Sequence, residues 1–335
     1  MKSFLSSLRS IFYERSECNE LFNSSTFQLF NDVFYLQIKS TSEKFFKHFP
    51  ICIIMNTMMD YLQRAKFFRT KKRLGQNFLV NPEVIEDILD YAQITKDDVV
   101  LEIGPGVGFV TEQLVKYAKK VIAVELDEEA IRELKKLECD NLELIHNDIL
   151  KTDISELVNG EKIKVVANIP YYITSPIIAH LLGEIDDLAN KNREVIEDII
   201  LMVQEEVAHR VVATEKSSAK QYGLLTILSQ FWADCSIIRV VGRRSFYPAP
   251  KVNSALISLK VRKEPLLKLS DYTFFRRVIK AAFAQRRKTL KNCLLGGGFD
   301  REKISQALTR MGLDENIRGE KLSITQFGEL SELLK

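Results

Sequence analysis

Short apolar runs alternate with amphipathic segments over most of the chain. DVVLEI, KVIAVELD, LELIH and KVVAN are nearly continuous apolar runs, as expected for strands buried on both faces of a sheet. Between them, segments such as EEAIRELKKL repeat apolar residues every three or four positions, which is typical of helices. This alternation predicts an α/β fold in which helices cover both faces of a mainly parallel sheet.

The pattern changes towards the C-terminus. IEDIILMVQEEVAHRVV predicts a strand followed by a helix, and FYPAPKVNSALISLKVR predicts a late pair of strands. Beyond about residue 262 only helical periodicity remains, with a long helix and its exit expected from Tyr272 to Leu295 and a second helix from Arg301 to Met311. Ser323 and Gln326 form a capping box that opens a third helix. We therefore expect an α/β domain at 58–263 and a small α-helical C-terminal domain at 264–335.

Residues 1–57 show neither a helical nor a strand period. Their five acidic residues disfavour an organellar transit peptide, which is rich in Arg and Ser and poor in acid. We expect a poorly ordered extension, or upstream sequence from a wrongly assigned start. Organellar import stays a less favoured alternative.

The composition excludes several classes of protein but does not identify the function. The 335 residues are 46% apolar and 28% charged with a net charge of +3, as in an ordinary globular protein. No apolar run reaches the ~18 residues of a membrane span. The five cysteines are scattered without a CxxC pair and the four histidines do not cluster, so we expect a cytoplasmic protein with no disulfide framework and no metal.

A glycine turn follows the first predicted strand in LEIGPGVG. Gly104, Gly106 and Gly108 allow a sharp turn and close approach of the backbone to a ligand. Their GxGxG spacing differs from the GxGxxG of nicotinamide enzymes, and Glu102 precedes them. A carboxylate suits a cationic sulfonium and an amino acid better than a pyrophosphate. The motif therefore favours S-adenosylmethionine as the cofactor, with a nicotinamide oxidoreductase as a remote alternative.

Two acidic positions follow at later strand ends. Glu125 ends the second strand, about twenty residues after the glycines, where an acid can accept ribose hydroxyls. Asp127, two positions later, competes with it, and Glu125 is favoured because it directly ends the apolar run. Asp148 follows the third strand and is placed either to accept from an adenine amine or to cap a helix.

The fourth strand ends in Asn168-Ile169-Pro170-Tyr171. An exocyclic adenine amine is a poor nucleophile because its lone pair is delocalised into the ring. The side-chain oxygen of Asn168 and the carbonyl of Ile169 can accept its two hydrogens, while Pro170 stiffens the turn. Tyr171 can stack on an unpaired base. For Tyr172 core packing is favoured, and a place in the lining of the pocket is the alternative.

The ordered motifs GQNFL, ExGxGxG, ELD, ND, NIPY, FxPxPKV and RRKTL resemble the KsgA-type small-subunit rRNA adenine dimethyltransferases. The resemblance runs from about Arg64 to the C-terminus. It implies a Rossmann-like class I S-adenosylmethionine-dependent methyltransferase that dimethylates N6 of two adjacent adenines in the 3′-terminal hairpin loop of small-subunit (16S) rRNA. It implies cofactor contacts at Asn77, Leu79, Gly104, Glu125, Asp148 and Asn168, to which the glycine turn adds Gly106. It implies that Asn168 to Tyr171 hold the base, with Phe246 nearby.

Basic clusters fit an RNA partner. Six positive charges lie between Arg64 and Arg73, and seven lie between Arg276 and Lys291 without an acid, including Arg286, Arg287 and Lys288. We expect a monomer that acts on rRNA within an assembling small subunit. A large-subunit rRNA methylase of the antibiotic-resistance type and a non-catalytic nucleic-acid-binding derivative of the same fold are the alternatives.

Overall fold

Nine strands organise the computed structural model, which describes residues 50–71 and 74–335. They are β1 (Phe78–Leu79), β2 (Val99–Ile103), β3 (Lys120–Glu125), β4 (Leu142–His146), β5 (Ile163–Asn168), β6 (Ile196–Gln204), β7 (Ala233–Val241), β8 (Phe246–Tyr247) and β9 (Ser254–Val261). Seven of them form one sheet in the order β4-β3-β2-β5-β6-β9-β7, and β1 pairs with β8 separately. The sheet is parallel from β4 to β6 and antiparallel where β9 meets β6 and β7. The predicted mainly parallel sheet is confirmed.

The apolar runs became strands because both faces of the sheet are covered. Along β5, Val165 and Ala167 belong to one hydrophobic cluster and Val166 belongs to the other. Successive side chains of a strand point to opposite faces, so a strand covered on both sides must be apolar throughout. The chain order reverses between β2 and β5, and in such sheets ligands bind beyond the carboxyl ends of the strands at this point.

The helices fill the connections between strands and the C-terminal region. Their bounds are Pro50–Phe67, Pro82–Ala92, Thr111–Tyr117, Glu128–Leu134, Ile154–Leu157, Thr174–Leu182, Lys191–Val195, Glu205–Val211, Leu224–Trp232, Tyr272–Ala282, Leu290–Gly296, Arg301–Arg310 and Ile324–Leu334. The side chain of Asn81 caps the helix that begins at Pro82, and Ser323 with Gln326 forms the predicted capping box. The helix Pro50–Phe67 begins inside the segment expected to be irregular, while residues 1–49 lie outside the described residues.

Two local predictions were wrong. The helix expected from Tyr272 to Leu295 is broken at residues 283–289, because the Thr289 hydroxyl caps a new helix by accepting the amide of Asn292. The late strand pair is also different: β9 pairs with β7, which the sequence did not reveal, whereas β8 pairs with β1.

Residues Thr57–Lys335 form one compact unit. Its larger hydrophobic cluster continues from the sheet into the C-terminal helices, where the rings of Phe231 and Phe275 lie 5.6 Å apart. The C-terminal helices therefore share their core with the sheet. Within the described residues, none of the helices has the length and apolar character needed to cross a bilayer. The same part of the chain contains no group of three or more His, Cys, Asp or Glu residues arranged to hold a metal ion.

Candidate active site

An open cleft of about 1020 Å³ lies at the carboxyl ends of β2, β3 and β5. Its lining includes ten of the residues singled out from the sequence, which are Asn77, Leu79, Gly104, Gly106, Glu125, Asp148, Asn168, Ile169, Pro170 and Tyr171. The fold thus brings together motifs that are up to 94 positions apart in the sequence, from Asn77 to Tyr171.

The glycine turn forms the floor of the cleft. Gly104 and Gly106 adopt φ values of 67° and 58°, a left-handed conformation that favours glycine. A Cβ atom at Gly106 would come within 2.7 Å of the Phe78 ring. Both conformation and space therefore require glycine at position 106.

Glu125, rather than Asp127, faces the cleft. Its Oε2 accepts the Gly106 amide at 3.0 Å, and its Oε1 accepts the amides of Leu126 and Asp127, both at 2.8 Å. Burial raises the pKa of Glu125, while these three amides oppose that shift. Because a carboxylate offers about four acceptor positions, Oε2 keeps capacity for a ligand hydroxyl beside the glycine turn.

Two further acids line the cleft. The Oδ1 of Asp148 accepts the Leu150 amide and caps a short 3-10 turn, and the residue also lines the cleft. Glu102 is only 3% exposed, and among the described residues its Oε2 has no hydrogen-bond partner. Burial raises the pKa of Glu102 to about 8, and the nearby charge of Glu125 adds to this shift. Within the described residues, Oε2 of Glu102 is therefore a buried acceptor without a hydrogen-bond donor.

The amide of Asn168 is held in one orientation. Its Nδ2 donates to the main-chain carbonyl of Asn77 at 3.0 Å, which leaves Oδ1 as the acceptor end of the side chain. Asn77 in turn donates its own Nδ2 to the carbonyl of Gly75 at 3.0 Å. The segment before β1 therefore sets which atom of Asn168 can accept a hydrogen bond from a ligand.

Pro170 and Tyr171 continue the chain beyond β5. Pro170 has φ −58° and its carbonyl accepts the Ile173 amide at 3.1 Å, which starts the 3-10 turn Tyr171–Ile173. The Tyr171 hydroxyl lies 2.6 Å from the Oγ of Ser254, a fully buried residue at the start of β9. This contact fixes the far end of the Tyr171 ring. Ser254 was not anticipated from the sequence, although a serine at the start of an apolar strand was visible there.

Tyr172 does not pack in the core, contrary to expectation. Its side chain is 62% exposed and it lines the cleft. Its ring lies beside Gly75, where an added Cβ would come within 3.3 Å of the ring. An aromatic ring at the mouth of the cleft offers a stacking surface. The two consecutive tyrosines in the sequence did not by themselves distinguish this position from core packing.

The remaining predicted residues lie apart from the cleft. Phe246 is buried in the β1–β8 pair opposite Leu79, so it contacts a lining residue but does not line the cleft. Arg286, Arg287 and Lys288 are exposed on the turn at 283–289.

Several basic residues of the two clusters are engaged internally. Arg64 pairs with Glu112, Lys71 pairs with Asp127, and Arg276 lies 2.9 Å from Glu184. Fewer basic side chains of the two clusters are therefore available for RNA phosphates than their number in the sequence suggested.

Comparison with known proteins agrees with this geometry. The profile of the family described as ribosomal RNA adenine dimethylase matches residues 67–335. The chain belongs to this family. A small-subunit ribosomal RNA methyltransferase A from Clostridium acetobutylicum is 44% identical over 270 residues, covering 79% of this chain and 94% of the relative. S-adenosylmethionine is the methyl donor of the ribosomal RNA adenine dimethylase family.

Two solved structures share the Rossmann-like methyltransferase fold of the family. A dimethyladenosine transferase from Plasmodium falciparum has a TM-score of 0.61 and 28% identity, covering 75% of this chain and 94% of that chain. The 23S rRNA methyltransferase ErmE has a TM-score of 0.59 and 28% identity, covering 77% of this chain and 99% of that chain. The predicted fold class is confirmed.

Proposed function

We propose that the protein dimethylates N6 of two adjacent adenines in the 3′-terminal hairpin loop of small-subunit rRNA, using S-adenosylmethionine. The observation that carries this proposal is the cleft that Asn168 and Tyr171 line together with the glycine turn and its acids. A base acceptor site and a cofactor site then share one cavity. The 44% identity to a small-subunit rRNA methyltransferase supports the choice of RNA.

The residues of the cleft fit S-adenosylmethionine. Glu102 Oε2 lacks a partner among the described residues and suits the ammonium of an amino acid. The turn at Gly104 and Gly106 gives a ligand access to the backbone. The cofactor supplies an electrophilic methyl group on a sulfonium sulfur.

Further residues of the cleft are proposed to hold the cofactor. Oε2 of Glu125 accepts a ribose hydroxyl, and Asp148 accepts the adenine amine. Asn77, which precedes β1, and Leu79, which lies in β1, line the same cleft.

Asn168 and Ile169 are proposed to activate the target amine. Oδ1 of Asn168 and the carbonyl of Ile169 accept its two hydrogens, which draws the nitrogen towards tetrahedral geometry and makes its lone pair available. Pro170 holds these acceptors in place because its φ angle is fixed. No charged base is needed at this position, in agreement with the neutral amide found there.

Two aromatic residues are proposed to hold the RNA at the cleft. Tyr171, tied to Ser254, stacks on the flipped adenine. Tyr172, exposed at the mouth, stacks on a neighbouring nucleotide. Phe246 supports the base pocket from behind β1 rather than by touching the base.

The C-terminal region 264–335 is proposed as the part that binds RNA phosphates, with Arg286, Arg287 and Lys288 as its exposed contacts. We further propose that the protein acts in the cytoplasm as a monomer on an assembling small subunit. The name of its Clostridium acetobutylicum relative, a small-subunit ribosomal RNA methyltransferase, supports the rRNA partner.

An in vitro assay tests the proposal. Purified protein and S-adenosylmethionine are incubated with small-subunit particles that lack the adenine marks, and the rRNA is mapped by mass spectrometry. Four methyl groups on two adjacent adenines of the 3′ hairpin are expected. Methylation of large-subunit rRNA alone would favour the ErmE-type activity, and RNA binding without transfer would indicate a non-catalytic derivative.

A further inference from the structure

One wall of the cleft is the segment Leu74–Leu79, called here the strap. Its Asn77 carbonyl accepts Nδ2 of Asn168, so the position of the strap determines which end of that amide faces the target. Only β1 at the end of the strap is held by strand pairing, through Phe78 and Leu79. Residues 74–77, which precede β1 in the strap, need another contact to hold them in place.

Asp127 provides that anchor. Its Oδ2 accepts Nε2 of Gln76 at 2.7 Å, and its Oδ1 accepts the Lys71 ammonium at 2.5 Å. The Gln76 Oε1 accepts the Lys71 amide at 2.7 Å and closes the arrangement. Asp127 is 2% exposed, and neither Asp127 nor Lys71 lines the cleft. Charge-assisted bonds of this kind at a buried site are strong and directional.

Asp127 also caps the helix Glu128–Leu134 by accepting the Glu129 amide. That role explains an acid at this position but requires neither Lys71 nor Gln76. Burial alone would raise the pKa of Asp127, but its bonds with Lys71 and Gln76 lower that pKa below its usual value. The ionised carboxylate therefore serves the strap as well as the helix.

We propose that Asp127 is a positioning residue for methyl transfer, acting through Gln76 and the strap on the amide of Asn168. With the strap anchored, the Asn77 carbonyl holds Nδ2 and Oδ1 faces the target amine. With the anchor broken, the strap moves away, the amide of Asn168 loses its preferred orientation, and the cofactor loses one wall of its site. The consequence for turnover rests on the proposed function, whereas the consequence for the strap does not.

The variants Lys71→Met and Asp127→Asn test this proposal, alone and combined. Asparagine is also a good helix N-cap, so Asp127→Asn preserves the helix start while removing the charge. Each single variant should lower kcat about tenfold and weaken S-adenosylmethionine binding, with the KM for RNA unchanged. The double variant should be less impaired than the product of the single effects, because both substitutions break the Lys71–Asp127 ion pair. Lys71→Met also removes the ion pair of Lys71 with Glu129 at 3.1 Å.

Amide hydrogen exchange of the cofactor-free protein supplies a readout independent of activity. Exchange across Leu74–Leu79 should accelerate in both single variants. The first matched control is Lys120→Met, which breaks the 2.7 Å ion pair of Lys120 with Glu143, two residues that do not line the cleft. The second is Asp153→Asn, which alters the N-cap of another helix. Both should retain wild-type kcat and strap exchange.

The proposal is overturned if strap exchange and kcat stay at wild-type values, or if the variants lose only thermal stability. Fully multiplicative kinetic effects in the double variant would also overturn it. If the wild-type protein transferred no methyl groups, calorimetry of cofactor binding and strap exchange would still decide the anchoring role separately.

Discussion

Asn168→Ala is expected to remove most methyl transfer while RNA binding stays close to wild type. The substitution deletes Oδ1, the acceptor proposed for the reacting amine, together with the Nδ2 donor that binds the Asn77 carbonyl at 3.0 Å. Preorganised groups that act on the reacting centre typically contribute ~10²–10³ in kcat, or about 3–4 kcal/mol. We expect a loss of this size.

The effect on stability should be far smaller. The lost hydrogen bond is partly buried and contributes on the order of 1 kcal/mol. In a protein of this size that corresponds to a Tm shift of roughly 2 °C. The variant therefore remains folded at assay temperature, and its kinetic defect cannot be attributed to unfolding.

Single-turnover methylation of unmethylated small-subunit particles measures the loss directly. Asn141→Ala is the matched control, because its Nδ2 also donates to main-chain carbonyls, those of Val115 and Ala118, but it does not line the cleft. Asn168→Asp adds a second test, since a carboxylate cannot donate to the Asn77 carbonyl and should lose the orientation. A rate for Asn168→Ala within about fivefold of wild type would refute the acceptor role.

Tyr172→Ala should raise the KM for rRNA about tenfold without altering cofactor affinity, because a stacking surface contributes ~1–3 kcal/mol; an unchanged KM argues against stacking. Replacing Arg286, Arg287 and Lys288 together by glutamine should reduce the slope of log K against log salt by about 2, and an unaltered slope places them away from RNA. Burial raises the pKa of Glu102 from 4.5 to about 8, so its ionisation destabilises the fold. The wild-type Tm should therefore fall relative to Glu102→Gln as the pH rises from 4.5 to 8. Curves of Tm against pH that run parallel for the wild type and Glu102→Gln would contradict this prediction.

Local sequence features predicted much of the cleft. The glycine turn after β2 is found at the edge of the sheet where the carboxyl ends of parallel strands meet. The choice of Glu125 over Asp127 also followed from local reasoning, since Glu125 directly ends the apolar run that forms β3. These features depend on a few consecutive residues and on one topological rule.

Features that depend on distant partners escaped prediction. Tyr172 is exposed, and its ring lies beside Gly75, which is nearly a hundred positions earlier in the sequence. Lys71 contributes to the internal framework rather than to a phosphate surface because Asp127 lies against it. The strand β7 pairs with β9, and the pattern of apolar residues within β7 did not predict this pairing.

The most direct test of the central claim is mass mapping of methylated adenines on rRNA from a strain that lacks the gene. Two adjacent N6,N6-dimethyladenines should disappear from the 3′-terminal hairpin of small-subunit rRNA. They should return with the wild-type gene and not with one encoding Asn168→Ala. Intact marks in the deletion strain, or a loss confined to large-subunit rRNA, would contradict it.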